Sequence, residues 1–374
     1  MRIAHDIPLG PLTTLGIGGP AAWLLELDEP ADFTDAVSLV EQRTPSAGRA
    51  VADGRRTGRT DAGAPVTLGH GSNVLAGDRG CTAPVLRMAT RGVRLLGADE
   101  RGRRLVEVQA GHPLSDLVNT ALTEGLMGTE MLAGIPGTVG AAPVQNVGAY
   151  GQEISDVLVD VTAWDWQLRR RVRIPAEECG LGHRTSVFKG ARRWTLLTLV
   201  LALRPATLSA PVTYPAVAGQ LDVPVGSRVP LAEAAQAVRD VRRGKGMVLD
   251  ELSREPRTIG SVFLSPEVTE AQATALRRDR APVHSFPDGS IRVSASWLIR
   301  RAGFALGTTV ADGVRISSQH YTLVADDGAT SAGFIEATTL VRQRVLERTG
   351  VLLTPEIDCI GDGLTDGRGM AAAP

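Results

Sequence analysis

Apolar positions along the chain fall into short runs separated by clusters of glycine, proline and polar residues, and the spacing inside each run predicts its element. Residues 22–27, Ala-Trp-Leu-Leu-Glu-Leu, form a compact apolar strand after an entry loop, and a helix is predicted from about Asp32. A strand starting at Val66 runs into a glycine turn that ends at Leu75. Residues 105–110, Leu-Val-Glu-Val-Gln-Ala, alternate as a half-buried strand does. The next helix is marked at both ends. Pro113 suits its first turn, Leu114, Leu117, Val118, Ala121 and Leu122 recur at helical spacing, and Gly125 stops it. Further strands are predicted over 157–163 and 194–203, and a helix over 231–243. A late helix over 332–348 sets Phe334, Thr338, Val341 and Val345 on one face, and a final strand is expected over 351–360.

Three stretches carry no such period. Residues 42–65 are rich in Arg, Gly, Ala, Asp and Thr and read as a flexible surface insertion, its arginines solvated for want of interleaved apolar or aromatic partners. Residues 131–151 are dense in glycine, and the Gly/Ala-rich tail after Gly361 reads as disordered. Arg204-Pro205 and the proline-bearing stretch to Pro224 interrupt the pattern, placing a domain boundary near residue 207. With 374 residues the chain is too long for one ordinary core. Apolar content of 43% with only 4% aromatics leaves that core to Leu, Val and Ala.

A formal net charge of −1 gives no global field favouring nucleic acid or an anionic membrane, so an anionic ligand must be held by local charges. The first residues lack the apolar run of a signal peptide, and no stretch reaches the ~20 apolar residues of a membrane span. The expected setting is cytoplasmic, with no nucleic-acid or membrane partner. Cys81, Cys179 and Cys359 are odd in number and widely spaced, which suits reduced thiols better than a disulfide framework or a zinc site, and no metal is expected.

The glycine-rich stretches are the candidates for chemistry. Residues 134–140, Gly-Ile-Pro-Gly-Thr-Val-Gly, can bring main-chain N–H groups onto a phosphate without Cβ obstruction. The loop is neither a Rossmann fingerprint nor a Walker loop, and alone it could be a plain turn. Two more loops accompany it: residues 68–75, Leu-Gly-His-Gly-Ser-Asn-Val-Leu, and residues 141–151, Ala-Ala-Pro-Val-Gln-Asn-Val-Gly-Ala-Tyr-Gly. Three such loops exceed what turns require and suit a long phosphate-bearing ligand.

Together these loops resemble those of the UDP-N-acetylenolpyruvoylglucosamine reductase (MurB) family. Further segments match in order: Pro-Leu-Thr-Thr-Leu-Gly-Ile-Gly-Gly-Pro at 11–20, Thr-Arg-Gly-Val at 90–93, Arg-Thr-Ser-Val-Phe-Lys at 184–189, Lys-Gly-Met-Val-Leu-Asp at 245–250, Gly260-Ser261, and Leu-Thr-Pro-Glu-Ile at 353–357. The likeness runs from about residue 8 to 361. It implies an α+β chain with an FAD-binding fold of the vanillyl-alcohol-oxidase (PCMH) type, in two subdomains over 1–75 and 76–207. A C-terminal α+β substrate-binding domain over 208–361 and a tail over 362–374 would follow. It implies non-covalent FAD, NADPH as reductant, and reduction of the enolpyruvyl ether of UDP-N-acetylglucosamine enolpyruvate to a lactyl ether by a monomer. Cofactor residues would be Gly69, Gly71, Ser72, Asn73, Val74, Leu75, Gly134, Ile135, Pro136, Gly137, Thr138, Val139, Gly140, Asn146, Gly148 and Tyr150. Tyr214, Lys245, Ser265 and Gln319 would contact substrate, Tyr214 on a mobile loop found in one of two family types.

An enol ether is electron-rich and accepts hydride only if negative charge can move onto its attached carboxylate, which calls for preorganised donors there. The resemblance assigns this to Arg184, through two parallel bonds, and to Glu356, which helps if it is protonated in the complex. It assigns delivery of the proton next to the carboxylate to Ser261. By themselves these residues read blandly: Arg184 as a surface charge among Arg192, Arg193 and Lys189, Ser261 as a turn serine, Glu356 as facing solvent with Asp358. The chain departs from the family pattern at His183, where Tyr is usual, at Val262, where an aromatic is usual, and at Leu264-Ser265, where Lys-Asn is common. Two rival readings follow: a flavoenzyme of this fold with another nucleotide-sugar or unsaturated acid as substrate, and a non-catalytic binding protein.

Overall fold

The computed structural model describes residues 1–43, 63–249, 255, 257–286 and 288–364. The expected insertion and tail lie, for residues 44–62 and 365–374, outside the described residues. The chain forms two compact units: Met1–Ile7, Ala21–His70 and Cys81–Leu249 make the first, and Pro8–Pro20, Gly71–Gly80 and Asp250–Pro374 the second.

The first unit holds two sheets. In the smaller, the strands run in the order Arg2–Ala4, Leu24–Leu27, Val85–Met88, Val66–Leu68, antiparallel in the first pair and parallel in the others. Helix α1 (Asp32–Arg43) turns Phe33, Ala36, Val37 and Val40 inward, where they share a core with Leu25, Leu27, Leu86 and Met88. The larger sheet is antiparallel, in the order Arg170–Pro175, Leu158–Asp165, Trp194–Pro205, Arg104–Gln109, Val93–Ala98. Helix α2 (Leu114–Thr123) covers it with Leu114, Leu117 and Ala121 against Val106, Val108, Leu199 and Leu201. Pro113 is its N-cap, and Gly125 follows its C-cap at φ +63°. Helices α3 (Pro215–Leu221) and α4 (Leu231–Gly244) also belong to this unit. Ala234, Ala235 and Val238 of α4 pack with Val217 and Ala218 of α3 and with Val118, Met131 and Leu132.

The second unit is assembled from three pieces of chain. Strands Val74–Ala76 and Asp358–Ile360 pair in parallel. Strands Thr309–Ala311, Val314–Ile316 and Leu323–Ala325 form an antiparallel sheet. Helices α5 (Glu270–Arg278), α6 (Ala295–Arg301) and α7 (Ser331–Thr349) complete it. Phe334, Val341 and Val345 of α7 lie fully buried with Val314, Ile316, Leu323 and Leu298. The final strand expected over 351–360 is confined to Asp358–Ile360. Pro355 has no N–H to donate, so a continuous ladder cannot form there. The preceding segment instead pairs its backbone with residues 262–264. Among the described residues no helix is long and apolar enough to cross a membrane. None of the three cysteines is in a disulfide, and burial, followed by Asp160, Glu177 and Glu178, pushes the Cys179 thiol up to about 11.

The start of α7 is held by a residue from far upstream. Asp78 accepts hydrogen bonds from the N–H of Ser331 at 2.7 Å and of Ala332 at 3.1 Å, and Thr330 accepts from Gly333 at 3.0 Å. Three of the four orphan donors of the first turn are thereby satisfied. Burial acts to raise the Asp78 carboxyl, but its bonds to Ser331 and Ala332 outweigh it and hold the group below its usual range. A depressed carboxylate stabilises the fold above the unfolded value of ~3.9, and that contribution is lost as pH falls through the lower folded value. Asp78→Ala should therefore cost about 1 kcal/mol in urea unfolding at pH 7. The difference from wild type should shrink below pH 4, and a deficit that grew on acidification would show that the charge is not its source.

Candidate active site

The loop at 134–140 is zipped along the junction between strand Arg104–Gln109 and α2. Val139 donates its N–H to His112 O at 2.8 Å, Gly140 to Ala110 O at 2.8 Å, and Leu114 donates to Gly137 O at 3.0 Å. Two glycines are required by close approach. A Cβ on Gly140 would lie 2.5 Å from the Ala110 Cβ, and one on Gly69 would lie 2.4 Å from Thr138 Oγ1. The amides of Gly137 and Thr138 donate no hydrogen bond among the described residues. Among the described residues the buried Nε2 of His112 has no partner, and its Nδ1 accepts from Gly92 N–H at 3.4 Å, which leaves the proton on Nε2. Unfilled donors beside a close-packed glycine loop fit a phosphate-bearing cofactor.

Downstream, Asn146 is turned to φ +46° and buried. Its Nδ2 donates to Glu153 at 2.6 Å and to Gly182 O at 3.1 Å, and its Oδ1 accepts from Ser155 N–H at 3.1 Å. Arg184, at φ +52°, donates Nη1–H to Asn146 O at 2.9 Å and Nη2–H to Gly148 O at 2.6 Å. The guanidinium thus braces the 146–148 loop and is not the surface charge that its arginine-rich surroundings suggest.

An electropositive cluster completes this face of the first unit. The Tyr150 and Tyr214 rings meet edge to face at 5.5 Å, and Lys245 Nζ lies 6.0 Å from the Tyr150 ring centroid. Arg242 was not legible as a site residue, yet it organises the cluster. It donates Nε–H to Gly134 O at 3.1 Å and Nη2–H to Met247 O at 3.1 Å, and it hydrogen-bonds Tyr150. Its spacing of three residues from Lys245 at the end of α4 was the available signal. Burial, then Arg242, lowers the Lys245 pKa, while burial lowers that of Arg242, with Arg184 adding repulsion. Burial raises the Tyr150 phenol. Cations destabilised by burial and by one another, with no salt bridge from Arg242 or Lys245 to a carboxylate among the described residues, favour an anion.

The remaining expected residues lie in the second unit. Glu356 is buried at 8% exposure, so the solvent-facing alternative fails. Its N–H donates to Val262 O at 2.9 Å, and its carbonyl accepts from Asn73 Nδ2 at 3.1 Å. Leu264 N–H donates to Thr354 O at 2.9 Å. This pairing sets Ser261, exposed at the surface, on the segment beside Glu356, with Ser265 exposed further along it. Val262 is 1% exposed in the core, so its departure from the usual aromatic is a matter of packing. Gln319 sits on a turn where its N–H donates to Ser317 Oγ at 3.0 Å. The structure therefore groups Gly69, residues 134–140, Asn146, Gly148, Tyr150, Arg184, Tyr214 and Lys245 in one unit, and residues 71–75, Ser261, Ser265, Gln319 and Glu356 in the other.

Residues 60–167 match the family profile described as an FAD binding domain, and residues 251–360 match the profile of the UDP-N-acetylenolpyruvoylglucosamine reductase C-terminal domain. Proteins named UDP-N-acetylenolpyruvoylglucosamine reductase are similar over nearly the whole chain. The one from Streptomyces avermitilis is 37% identical, covering 96% of this chain and 94% of its own. That from Thermobifida fusca is 37% identical, covering 96% and 98%. Among solved structures, the reductase from Thermus caldophilus aligns with a TM-score of 0.59 at 23% identity, over 96% of this chain and 99% of its own, a likeness of fold. The chain has the FAD-binding α+β fold that the glycine loops led one to expect, and FAD is its cofactor.

Arg242→Ala should release the Gly134 carbonyl and raise the Kd for FAD about tenfold, the ~1.4 kcal/mol expected for one lost charged hydrogen bond. Flavin fluorescence quenching on titrating apoprotein measures it, and an unchanged Kd would show that the tether does not order the loop.

Proposed function

The chain belongs to the UDP-N-acetylenolpyruvoylglucosamine reductase family, and on that premise we propose that it reduces UDP-N-acetylglucosamine enolpyruvate to UDP-N-acetylmuramate with NADPH, for peptidoglycan precursor synthesis. FAD, held by Gly69, residues 71–75 and residues 134–140, would supply hydride transfer between NADPH and the enolpyruvyl double bond. The observation that carries the reading is the pairing of Val262 with Glu356, which sets an exposed serine and a buried glutamate on adjacent segments.

Each remaining step falls to a side chain. Arg184 stabilises the substrate carboxylate as charge builds there, its guanidinium set in place by the carbonyls of Asn146 and Gly148. Glu356, protonated in the complex, donates to the same charge. Ser261 delivers the proton to the carbon bearing the carboxylate. Lys245 and Tyr214 take the diphosphate, for which a compact ammonium is suited, and Ser265 and Gln319 hold the rest of the substrate. Gly69, residues 71–75 and residues 134–140 contact the cofactor, with Gly148 and Tyr150 beyond them. Asn146 acts through its hydrogen bonds to Glu153, Gly182 and Ser155. In this scheme residues 1–75 and 76–207 serve the cofactor and 208–361 the substrate. The enzyme works as a cytoplasmic monomer, without nucleic-acid or membrane partners, and its product supports cell shape and division.

Stopped-flow mixing tests the reading. Flavin reduced by NADPH without oxygen should reoxidise rapidly on adding UDP-N-acetylglucosamine enolpyruvate, and slow or absent reoxidation would remove this substrate. Failure of NADPH to reduce the flavin would favour a binding protein. Ser261→Ala should leave reduction by NADPH intact and slow reoxidation by 10²-fold or more, the usual scale for a lost general acid. Unchanged reoxidation would dismiss Ser261 as the donor.

A further inference from the structure

We infer that Thr322 is a positioning residue for Ser261, acting through the Gly260 carbonyl; the inference rests on the reading of Ser261 as proton donor. Ser261 is exposed, and its hydroxyl makes no hydrogen bond among the described residues, so nothing on the side chain itself fixes its direction. Its backbone follows Gly260, which sits at φ +73° with no heavy atom within 4 Å of where a Cβ would stand. A glycine in open space is the loosest point a chain can offer. A proton donor hung from it would sweep through many orientations unless the neighbouring peptide planes were pinned.

Two threonine hydroxyls pin them. Thr258 Oγ1 accepts from Gly260 N–H at 3.1 Å, and Thr322 Oγ1 donates to Gly260 O at 2.6 Å. The carbonyl of Gly260 is coplanar with the N–H of Ser261, so holding that oxygen orients the peptide from which Ser261 springs. One peptide further on, Val262 O accepts from Glu356 N–H. Ser261 is therefore held directly through the peptide before it, with the next fixed point at the Val262 carbonyl, while its hydroxyl stays available.

Thr322 is itself anchored. It is 5% exposed, its N–H donates to His320 O at 2.9 Å, and its carbonyl accepts from Ser317 N–H at 2.9 Å. The Ser317 hydroxyl donates to the Glu255 carboxylate, which also accepts from Arg315 at 2.6 Å and from Ser318 N–H at 2.8 Å. The same Ser317 Oγ accepts from the N–H of Gln319 and His320. A buried carboxylate thus organises the turn bearing Gln319, the turn fixes Thr322, and Thr322 fixes the base of Ser261. Preorganised support of this kind separates a donor held in the reactive geometry from one that only visits it.

The test uses the full-length holoenzyme in rapid mixing. Thr322→Val keeps shape and removes only the hydroxyl. Reduction of the flavin by NADPH should stay within twofold of wild type. Reoxidation at saturating UDP-N-acetylglucosamine enolpyruvate should slow about tenfold, with half-saturation within twofold. Thr322→Ser, which restores the hydroxyl, should recover the rate to within threefold. Added to Ser261→Ala, Thr322→Val should have no further effect, because it acts only through Ser261. The inference is overturned if Thr322→Val reoxidises within twofold of wild type. It is also overturned if Thr322→Ser is as slow as Thr322→Val, or if Thr322→Val slows the Ser261→Ala enzyme by the same factor as the wild type. Should Ser261→Ala alone reoxidise normally, the reading of Ser261 itself falls, and that outcome is seen without any change at Thr322.

Discussion

The second unit depends on a strand pairing made between segments far apart in the chain, Val74–Ala76 and Asp358–Ile360. They lie parallel, with Asp358 opposite Val74, Cys359 opposite Leu75 and Ile360 opposite Ala76. This register sends Asp358 N–H to Asn73 O at 3.0 Å and Asn73 Nδ2 to Glu356 O at 3.1 Å. Glu356 in turn pairs with Val262, and Ser261 follows. A slip of one residue would exchange the faces of every side chain in the strand. It would take Ile357, buried with Leu75 in the same core, out of its place. The glycine loop at 71–75 and the two candidate catalytic residues of this unit therefore hang from one backbone relay.

The first unit solves a different problem, that of keeping positive charge beside a glycine loop in a chain with little net charge. The chain as a whole is nearly neutral, and Arg184 and Arg242 spend hydrogen bonds on main-chain carbonyls of the loops they serve. The Gly134 carbonyl satisfies the Arg242 guanidinium geometrically without cancelling its charge, as a carboxylate would. Positive charge is retained beside Tyr150 and Lys245 while the glycine loop is kept in shape. One residue thus performs both the mechanical and the electrostatic task, which is why the arginines count for more here than their number suggests.

Much of the scaffold was legible because its cues are local. Pro113, Gly125 and the repeat of Leu114, Leu117 and Ala121 delimit α2 to within a residue or two, and Phe334, Val341 and Val345 mark the buried face of α7. The edge strand Arg170–Pro175 escaped notice because its alternation is only two apolar residues long, Val172 and Ile174, set among three arginines. Glu356 was open to misreading for the opposite reason. Alternation with Ile357 and Cys359 turned it toward solvent, whereas Pro355 breaks the ladder and the pairing with Val262 buries it.

The sequence by itself determined where the strongly periodic helices and strands form and which family the loops resemble, because each of these is written in neighbouring residues or in the order of short motifs. Only the tertiary structure decided which partner each functional group keeps: Arg242 on Gly134, Asp78 on the first turn of α7, Thr322 on Gly260. Periodicity reports the face a residue shows to its own element. It carries no record of the carbonyl or amide that a distant turn of chain brings within 3 Å, and at this protein's candidate site those distant pairings set the direction in which each reactive group points.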